Sequence, residues 1–341
     1  MTTEAVTPAN WLANLIGVTD RPKEGTSAES LGIELQFRDG VWRSASAISA
    51  AQEATSDAFG YKWARRDTFE SAASLARARA WLEARYGDVA GADWWDDLGE
   101  HPVLTDLGCG AGMSGLLLFG PKLADVRYLG VDVSAAVDVA RTRFQKAEAP
   151  GEFLQADVTR LPIPDGSVSV VFAEGVFHHT DSTHRAIAEA ARLLVSDGKI
   201  LFYVYRQKGP IREFTDDLIR ADLQGRDPDD AWAALYPLTR LGMALGELEA
   251  TVDVPEDIPV LGISAGEIDV QRLFYWHVAK AFYDPRLGIE EMNHINFDWF
   301  SPVNAHRQSP AEVRSWCDDV GLRIDREVVE HAGITIIATK R

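Results

Sequence analysis

The stretch "DLGCGAG", Asp106 to Gly112, constrains this chain more than any other. It puts glycines at 108, 110 and 112 between strand-like "PVLTDLG" and helix-like "MSGLLLFGPKLA". Glycines after a strand let the turn take positive φ and let a ligand touch the main chain. In an open α/β sheet such a turn lies at the carboxyl end of the strand, where ligands bind near the switch in strand order. The spacing narrows the ligand. A dinucleotide fingerprint, Gly-x-Gly-x-x-Gly, would need glycine where Met113 stands. A P-loop would end in Gly-Lys-Ser/Thr, whereas this turn ends in Gly112-Met113-Ser114 with no lysine.

The flanking pattern supports the same fold. "RYLGVDVS", "GEFLQADV", "SVSVVFAEG" and "KILFYVYR" read as further strands, with the helix "STHRAIAEAARLLV" and a turn at Ser196-Asp197-Gly198 before the last of them. Strands alternating with helices imply a parallel sheet with crossover helices. Upstream, "IELQFRDGVWRSAS" alternates about the hairpin dipeptide Asp39-Gly40. "DTFESAASLARARAWLEARY", Asp67 to Tyr86, reads as one amphipathic helix. Near the end, Ser309 and Pro310 mark a helix start, and "RIDREVVEHAGITIIATK" reads as two strands. Between Arg206 and Gln308 lies an insertion with helical stretches and an aromatic loop, "NHINFDWFSP". The expected organisation is a leader over 1–66, a core over 67–205, a helical cap over 206–308, and a closing helix and two strands over 309–341.

Composition removes several classes of partner. A formal net charge of −18, with no basic stripe, argues against nucleic acid and against an anionic membrane. No apolar run reaches the roughly 18–20 residues that span a bilayer, and "MTTEAVTPANWLANLIG" has no basic segment before an apolar core. Two cysteines, Cys109 and Cys317, exclude a disulfide scaffold and suit the cytoplasm. Their separation gives no metal-ligand pair.

Gly-x-Gly-x-Gly behind an acidic residue closely resembles the first motif of class I S-adenosylmethionine-dependent methyltransferases. "YLGVDVS" and "LQADVTRLPIPDGSVSVVFAEGVFHHT" resemble the motifs that follow it. "VFHHTDSTHRAIAEAARLLVSDGKILFYVYR" is similar to the small-molecule branch that includes the quinone-biosynthesis enzymes. The likeness covers about residues 100–205 and the last thirty or so. It implies a Rossmann-like α/β fold, a seven-stranded, mostly parallel sheet with helices on both faces. It also implies S-adenosylmethionine as cofactor, held by Asp106, Gly108, Gly110, Gly112 and Glu174. Asp132 would take both ribose hydroxyls with Val133 beside it, and Asp157 the adenine amine with Ala156 and Val158 beside the ring. Acidic residues suit a ligand whose hydroxyls, amine and ammonium are donors and whose sulfonium is cationic. In "AFGYKWARRD" the resemblance offers Tyr61, Trp63 and Arg65 as a cover for the methionyl end. The same residues also read as a helix start anchored in the core by Phe59 and Trp63.

Transfer from a sulfonium is an in-line displacement, served by alignment and by a base near the acceptor's proton. The end of the fourth core strand faces the donated methyl in this fold, which makes Glu174, His178 and His179 candidates. His277, in "DVQRLFYWHVAKAFY", shares a face with Val270, Leu273 and Ala281. It reads as an inward catalyst or as a core histidine. "HHTDSTH" reads as a helix cap at Asp181 or Ser182 rather than a metal site. Arg212 and Arg220 can each pair with Asp216 on a helix surface, or bind an acceptor carboxylate together with Tyr203 or Tyr205. His294 and Trp299, in the aromatic loop, suit either a small-molecule wall or a packed lid.

The expected protein is therefore a cytoplasmic methyltransferase acting on a small polar metabolite. A protein side chain as acceptor and a non-catalytic adenosylmethionine-binding protein are the other readings. The aromatics of the insertion could line a pocket, a homodimer interface or both.

Overall fold

The computed structural model describes residues 11–18 and 22–341. The N-terminal reading over residues 1–10 therefore lies outside the described residues. In chain order the strands are β1 (Ser27–Ser30), β2 (Ile33–Arg38), β3 (Val41–Ser44), β4 (Val103–Leu107), β5 (Arg127–Asp132), β6 (Glu152–Gln155), β7 (Val168–Glu174), β8 (Leu194–Tyr205), β9 (Thr251–Val254), β10 (Gly266–Asp269), β11 (Leu322–Val329) and β12 (Gly333–Lys340). The helices are α1 (Trp11–Leu15), α2 (Ala50–Ala64), α3 (Ala72–Tyr86), α4 (Met113–Phe119), α5 (Ala136–Lys146), α6 (Thr183–Leu193), α7 (Pro210–Leu223), α8 (Pro228–Glu247), α9 (Val270–His277), α10 (Ile289–Phe300) and α11 (Pro310–Asp319).

All strands but β9 and β10 form one sheet, ordered β1-β2-β3-β6-β5-β4-β7-β8-β12-β11. From β6 to β8 the neighbours are parallel, while β12 runs antiparallel between β8 and β11. The expected seven-stranded core is present, but the sheet has ten strands, because the leader adds three. The hairpin of β2 and β3 turns through Asp39 (φ 53°) and Gly40 (φ 74°), the left-handed pair that matches strand twist. β3 then docks parallel to β6, through Trp42 opposite Leu154. Arg43 fixes the join, donating to Gln155 at 2.7 Å and to Asp138 at 2.8 Å.

Helices cover both faces. Leu82 and Tyr86 of α3, Phe119 of α4, and Val137 and Phe144 of α5 pack on one side. Leu12 of α1, Ile187 of α6, and Val313 and Cys317 of α11 pack on the other. The insertion, α7 to α10 with the β9–β10 hairpin, caps the carboxyl ends of the strands. Among the described residues, no helix is long and apolar enough to cross a membrane.

Three local expectations change. The helix expected from Asp67 starts at Ala72, because the Ser71 hydroxyl accepts from the Ser74 N–H at 3.0 Å and caps it there. The Ser196-Asp197-Gly198 turn becomes an irregularity inside β8, with Asp197 at φ 63° and the register against β7 shifted. "NHINFDWFSP" is largely helix, not loop. Asn293 and Asn296 look like loop residues, yet both are buried in α10. There they meet the Thr239 hydroxyl of α8, at 2.7 and 2.9 Å.

Candidate active site

The glycine turn after β4 is shaped by what surrounds it. Gly108 has φ 67°, and a Cβ there would lie 2.4 Å from the Val176 methyls. Gly110 has φ 51°, and its Cβ would meet the Trp63 indole at 2.8 Å. Gly112 lets α4 approach α5, where any Cβ would press on Ala140 and Phe144. The Gly110 N–H donates to Asp132 Oδ2 at 2.8 Å, and Ser134 donates its N–H and hydroxyl to Oδ1 at 2.8 and 2.7 Å. Turn and acid are thus one unit.

That unit opens on a cavity of about 340 Å³, which runs from the turn to the cap. Gly108, Met113, Asp132, Val133, Asp157, Val158 and Glu174 line its sheet end, and Trp63 of α2 closes over it. Glu174, half-buried at the end of β7, accepts from Trp81 Nε1 at 2.9 Å and from the Tyr86 hydroxyl at 2.5 Å. Burial raises its pKa. Asp157 Oδ1 accepts the N–H and hydroxyl of Thr159. Asp132, Asp157 and Glu174 face this end without an ion pair among the described residues. A carboxylate offers about four acceptor positions, so Asp132 keeps one on Oδ2 for a ligand hydroxyl. Acidic acceptors to which no cation is bonded among the described residues, beside a turn kept bare of side chains, fit a ligand of donors and positive charge. Asp106 does not join them. On β4 it shares parity with buried Leu104, so it points under α4, where it accepts from the Tyr128 hydroxyl at 2.7 Å. Burial pushes its carboxyl up to about 7.

At the cap end His179 lines the cavity. Its Nδ1 lies 2.6 Å from the Asn304 carbonyl, which makes Nδ1 the protonated nitrogen and leaves Nε2 as an acceptor. Burial pulls its pKa down to about 4, keeping the ring neutral. His178 points elsewhere. It stacks on Tyr205 at 3.6 Å, does not line the cavity, and neither ring nitrogen has a partner. Lys62 bonds Asp298, and its ammonium sits 3.9 Å from the centre of the Trp63 ring.

Tyr203, Tyr205, Arg212, His294 and Trp299 all line the cavity. The Arg212–Asp216 pair forms at 2.7 Å but is fully buried rather than solvated, and Trp299 Nε1 donates to the same Asp216 oxygen at 2.8 Å. Arg220 instead pairs with Asp217 at 3.2 Å, donates to the Trp299 carbonyl, and stays off the cavity. His294 Nδ1 meets the Thr68 hydroxyl at 2.7 Å, and burial pulls this ring down to about 3.

Five further residues do not line the cavity: Gly110 and Gly112, which pack against Trp63 and α5, and Tyr61, Arg65 and His277. α2 continues to Ala64, so Tyr61 and Arg65, four apart, share its outer side and Trp63 the inner. Arg65 donates to the Tyr61 hydroxyl at 2.6 Å, and Tyr61 to Asp229 at 2.5 Å. His277 is the last residue of α9, which ends before Ala281. It lies against His331, while Tyr275 and Trp276 face the cavity. In "HHTDSTH" the side chains diverge. Ser182 caps α6, Asp181 accepts from Ser49 and Asn304, and His184 stacks on Trp316.

Sequence reasoning missed four cavity cations: Lys62, Arg77, Lys208 and Lys280. Two carried a signal, since Lys62 sits between aromatics in "GYKWA" and Lys280 interrupts the apolar run of "VAKAFY".

An open α/β sheet whose bare glycine turn is bonded to the acid of the next strand defines a nucleoside-cofactor-binding domain. Residues 105–202 match the family model described as "Methyltransferase domain". This core is a class I S-adenosylmethionine-dependent methyltransferase domain, and S-adenosylmethionine is its cofactor. The chain is 31% identical to an uncharacterized methyltransferase, YcgJ, of Bacillus subtilis, over 42% of this chain and 57% of that protein. It is 28% identical to a probable tRNA methyltransferase 9B of Bos taurus, over 43% of this chain and 30% of that protein. The chain thus spans less than two thirds of the length of either relative. Among solved structures it is similar to magnesium protoporphyrin IX methyltransferase of Synechocystis, at 14% identity and a TM-score of 0.42, over 87% of this chain and all of that one.

Proposed function

We propose that this protein transfers the methyl group of S-adenosylmethionine to a small polar metabolite held beneath the helical cap. One observation carries this reading: a single cavity joins the acidic sheet end to the cap, and residues from leader, core and insertion line it together. Bound S-adenosylmethionine supplies a methyl group on a sulfonium, ready for in-line displacement. Asp132 and the Gly108–Gly112 turn hold the nucleoside end, and Trp63 closes over it. His179 Nε2 would accept a hydrogen bond from the acceptor's hydroxyl or amine and so orient it, leaving the acceptor's own lone pair free for the displacement. With a pKa of about 4, His179 orients the acceptor more than it removes a proton. The aromatic wall of Tyr203, Tyr205 and Trp299 excludes water from the reacting atoms.

The test is to incubate the purified protein with S-adenosylmethionine and pooled metabolites, split into carboxylic acids, thiols, amines and phenols, and to measure S-adenosylhomocysteine release. Turnover confined to one pool supports the reading and identifies the acceptor chemistry. Silence in every pool, with cofactor binding intact by calorimetry, favours a protein acceptor or a non-catalytic role.

A further inference from the structure

Trp299 of α10 is ringed by cations. The charged groups of Lys280, Arg220, Arg212 and Lys208 stand 4.8, 5.0, 5.3 and 5.5 Å from its ring centre. Three of them, Lys208, Arg212 and Lys280, line the cavity. Arg212 is neutralised by Asp216, and Lys208 donates to the carbonyls of Arg206, His331 and Ala332 at 2.7–2.8 Å. Lys280 differs from both. It is buried, yet makes no hydrogen bond or ion pair among the described residues. Asp298, the nearby carboxylate, is already bonded to Lys62.

A buried, unpaired ammonium is costly unless something completes it. Burial, and the like charges of Arg212 and Arg77, pull Lys280 down to about 7 despite the pull of Asp298. The segment that carries it is held in place. The Ala281 carbonyl accepts from Gln271 at 2.7 Å, and the Phe282 N–H donates to Asn296 at 3.1 Å. The wall around it is aromatic, with Tyr275, Phe282 and Trp299. Arg77, also without an ion pair among the described residues, sits 5.2 Å from the Phe282 ring centre.

We propose that the acceptor carries a carboxylate, which docks on Lys280 against the Trp299 wall while the rest of the molecule presents its methyl-accepting atom towards His179. This rests on the methyltransferase reading and names its substrate class. The methionyl carboxylate of the cofactor is the other source of the same chemistry. Lys62 is the candidate partner for that group, bonded to Asp298 and set over Trp63, whose indole lies against Gly110 of the glycine turn.

Calorimetry on the full chain saturated with S-adenosylhomocysteine separates the two. Benzoate, phenylacetate and indole-3-acetate are each titrated beside their primary amides. At least one carboxylate should bind about tenfold or more tightly than its amide, the scale of one charge-assisted hydrogen bond. Lys280→Met should erase that preference, Lys280→Arg should restore part of it, and both should leave S-adenosylhomocysteine affinity unchanged. Equal binding of acids and amides by the wild-type protein overturns the inference, without depending on how any variant folds. So does a Lys280→Met variant that loses affinity for S-adenosylhomocysteine, because the carboxylate is then the cofactor's. Failure of the wild-type protein to bind S-adenosylhomocysteine at all removes the methyltransferase reading, and the inference with it.

Discussion

Gly110 and Asp132, at the ends of neighbouring strands, are joined by a 2.8 Å hydrogen bond from the glycine N–H to the carboxylate. The acid therefore holds the shape of the turn, and in the proposed reading it also offers an oxygen to the cofactor. Its two roles separate by substitution. Asp132→Ala should weaken S-adenosylhomocysteine binding and lower stability, each by about 1–3 kcal/mol, since the Gly110 and Ser134 N–H groups lose their acceptor. Asp132→Asn should recover more stability than affinity. Calorimetry beside a urea titration reads both, and unchanged affinity in both variants would show that the ligand is held elsewhere.

Gly108 tests the close approach on the other side of the turn. Alanine there would be strained at φ 67° and would meet the Val176 methyls at 2.4 Å. Gly108→Ala should cost ~1–3 kcal/mol in stability and most of the cofactor affinity. Adding Val176→Ala relieves the clash but not the strain, so the double variant should recover only part of the loss in a thermal melt.

The adjacent histidines should behave in opposite ways. His179 offers a nitrogen to the cavity, whereas both nitrogens of buried His178 lack partners. His178→Phe should keep cofactor binding and gain ~1 kcal/mol from removing unpartnered polar atoms. His179→Ala should abolish turnover while leaving S-adenosylhomocysteine bound. Burial holds His178, His179 and His294 below the ordinary histidine range, the last two at about 4 and about 3. The unfolded chain therefore binds more protons than the folded one below pH ~6.5, and stability falls as pH drops from there towards 4. His178→Phe should flatten this slope, as measured by urea midpoints across the range.

Lys280 gives a slope at the other end of the scale. Its folded value of about 7 lies below the roughly 10.4 of an exposed lysine. Stability should therefore rise with pH between those values, and the penalty for the buried charge is fullest below 7. Arg77, Arg212, Asp216 and Asp298 act on the same ammonium and persist in the variant. Lys280→Met should stabilise the ligand-free protein by roughly 2–4 kcal/mol near pH 6, and by little above pH 10.5. A gain of the same size at both pH values would mean that packing, not charge, is responsible.

The sequence by itself determined what a few neighbouring residues can impose. Glycines at alternate positions after an apolar strand require a bare turn, the alternation of strand and helix requires a parallel sheet, and Ser309-Pro310 starts a helix wherever it lies. Asp106 shows where such reading stops. The motif includes it, but strand parity turns it under α4 to Tyr128, away from the cavity. α10 hid its helix because its asparagines look like loop residues until Thr239 of α8 satisfies them. The tertiary structure alone decided which side chains share the cavity. Lys62 and Asp298 are bonded across 236 positions, and Lys280 meets Trp299 only once the cap has folded onto the strand ends. Local sequence sets backbone conformation through sterics and hydrogen bonding within a few residues. A buried charge acquires its partners, or is left without one, only when distant segments have excluded the water between them.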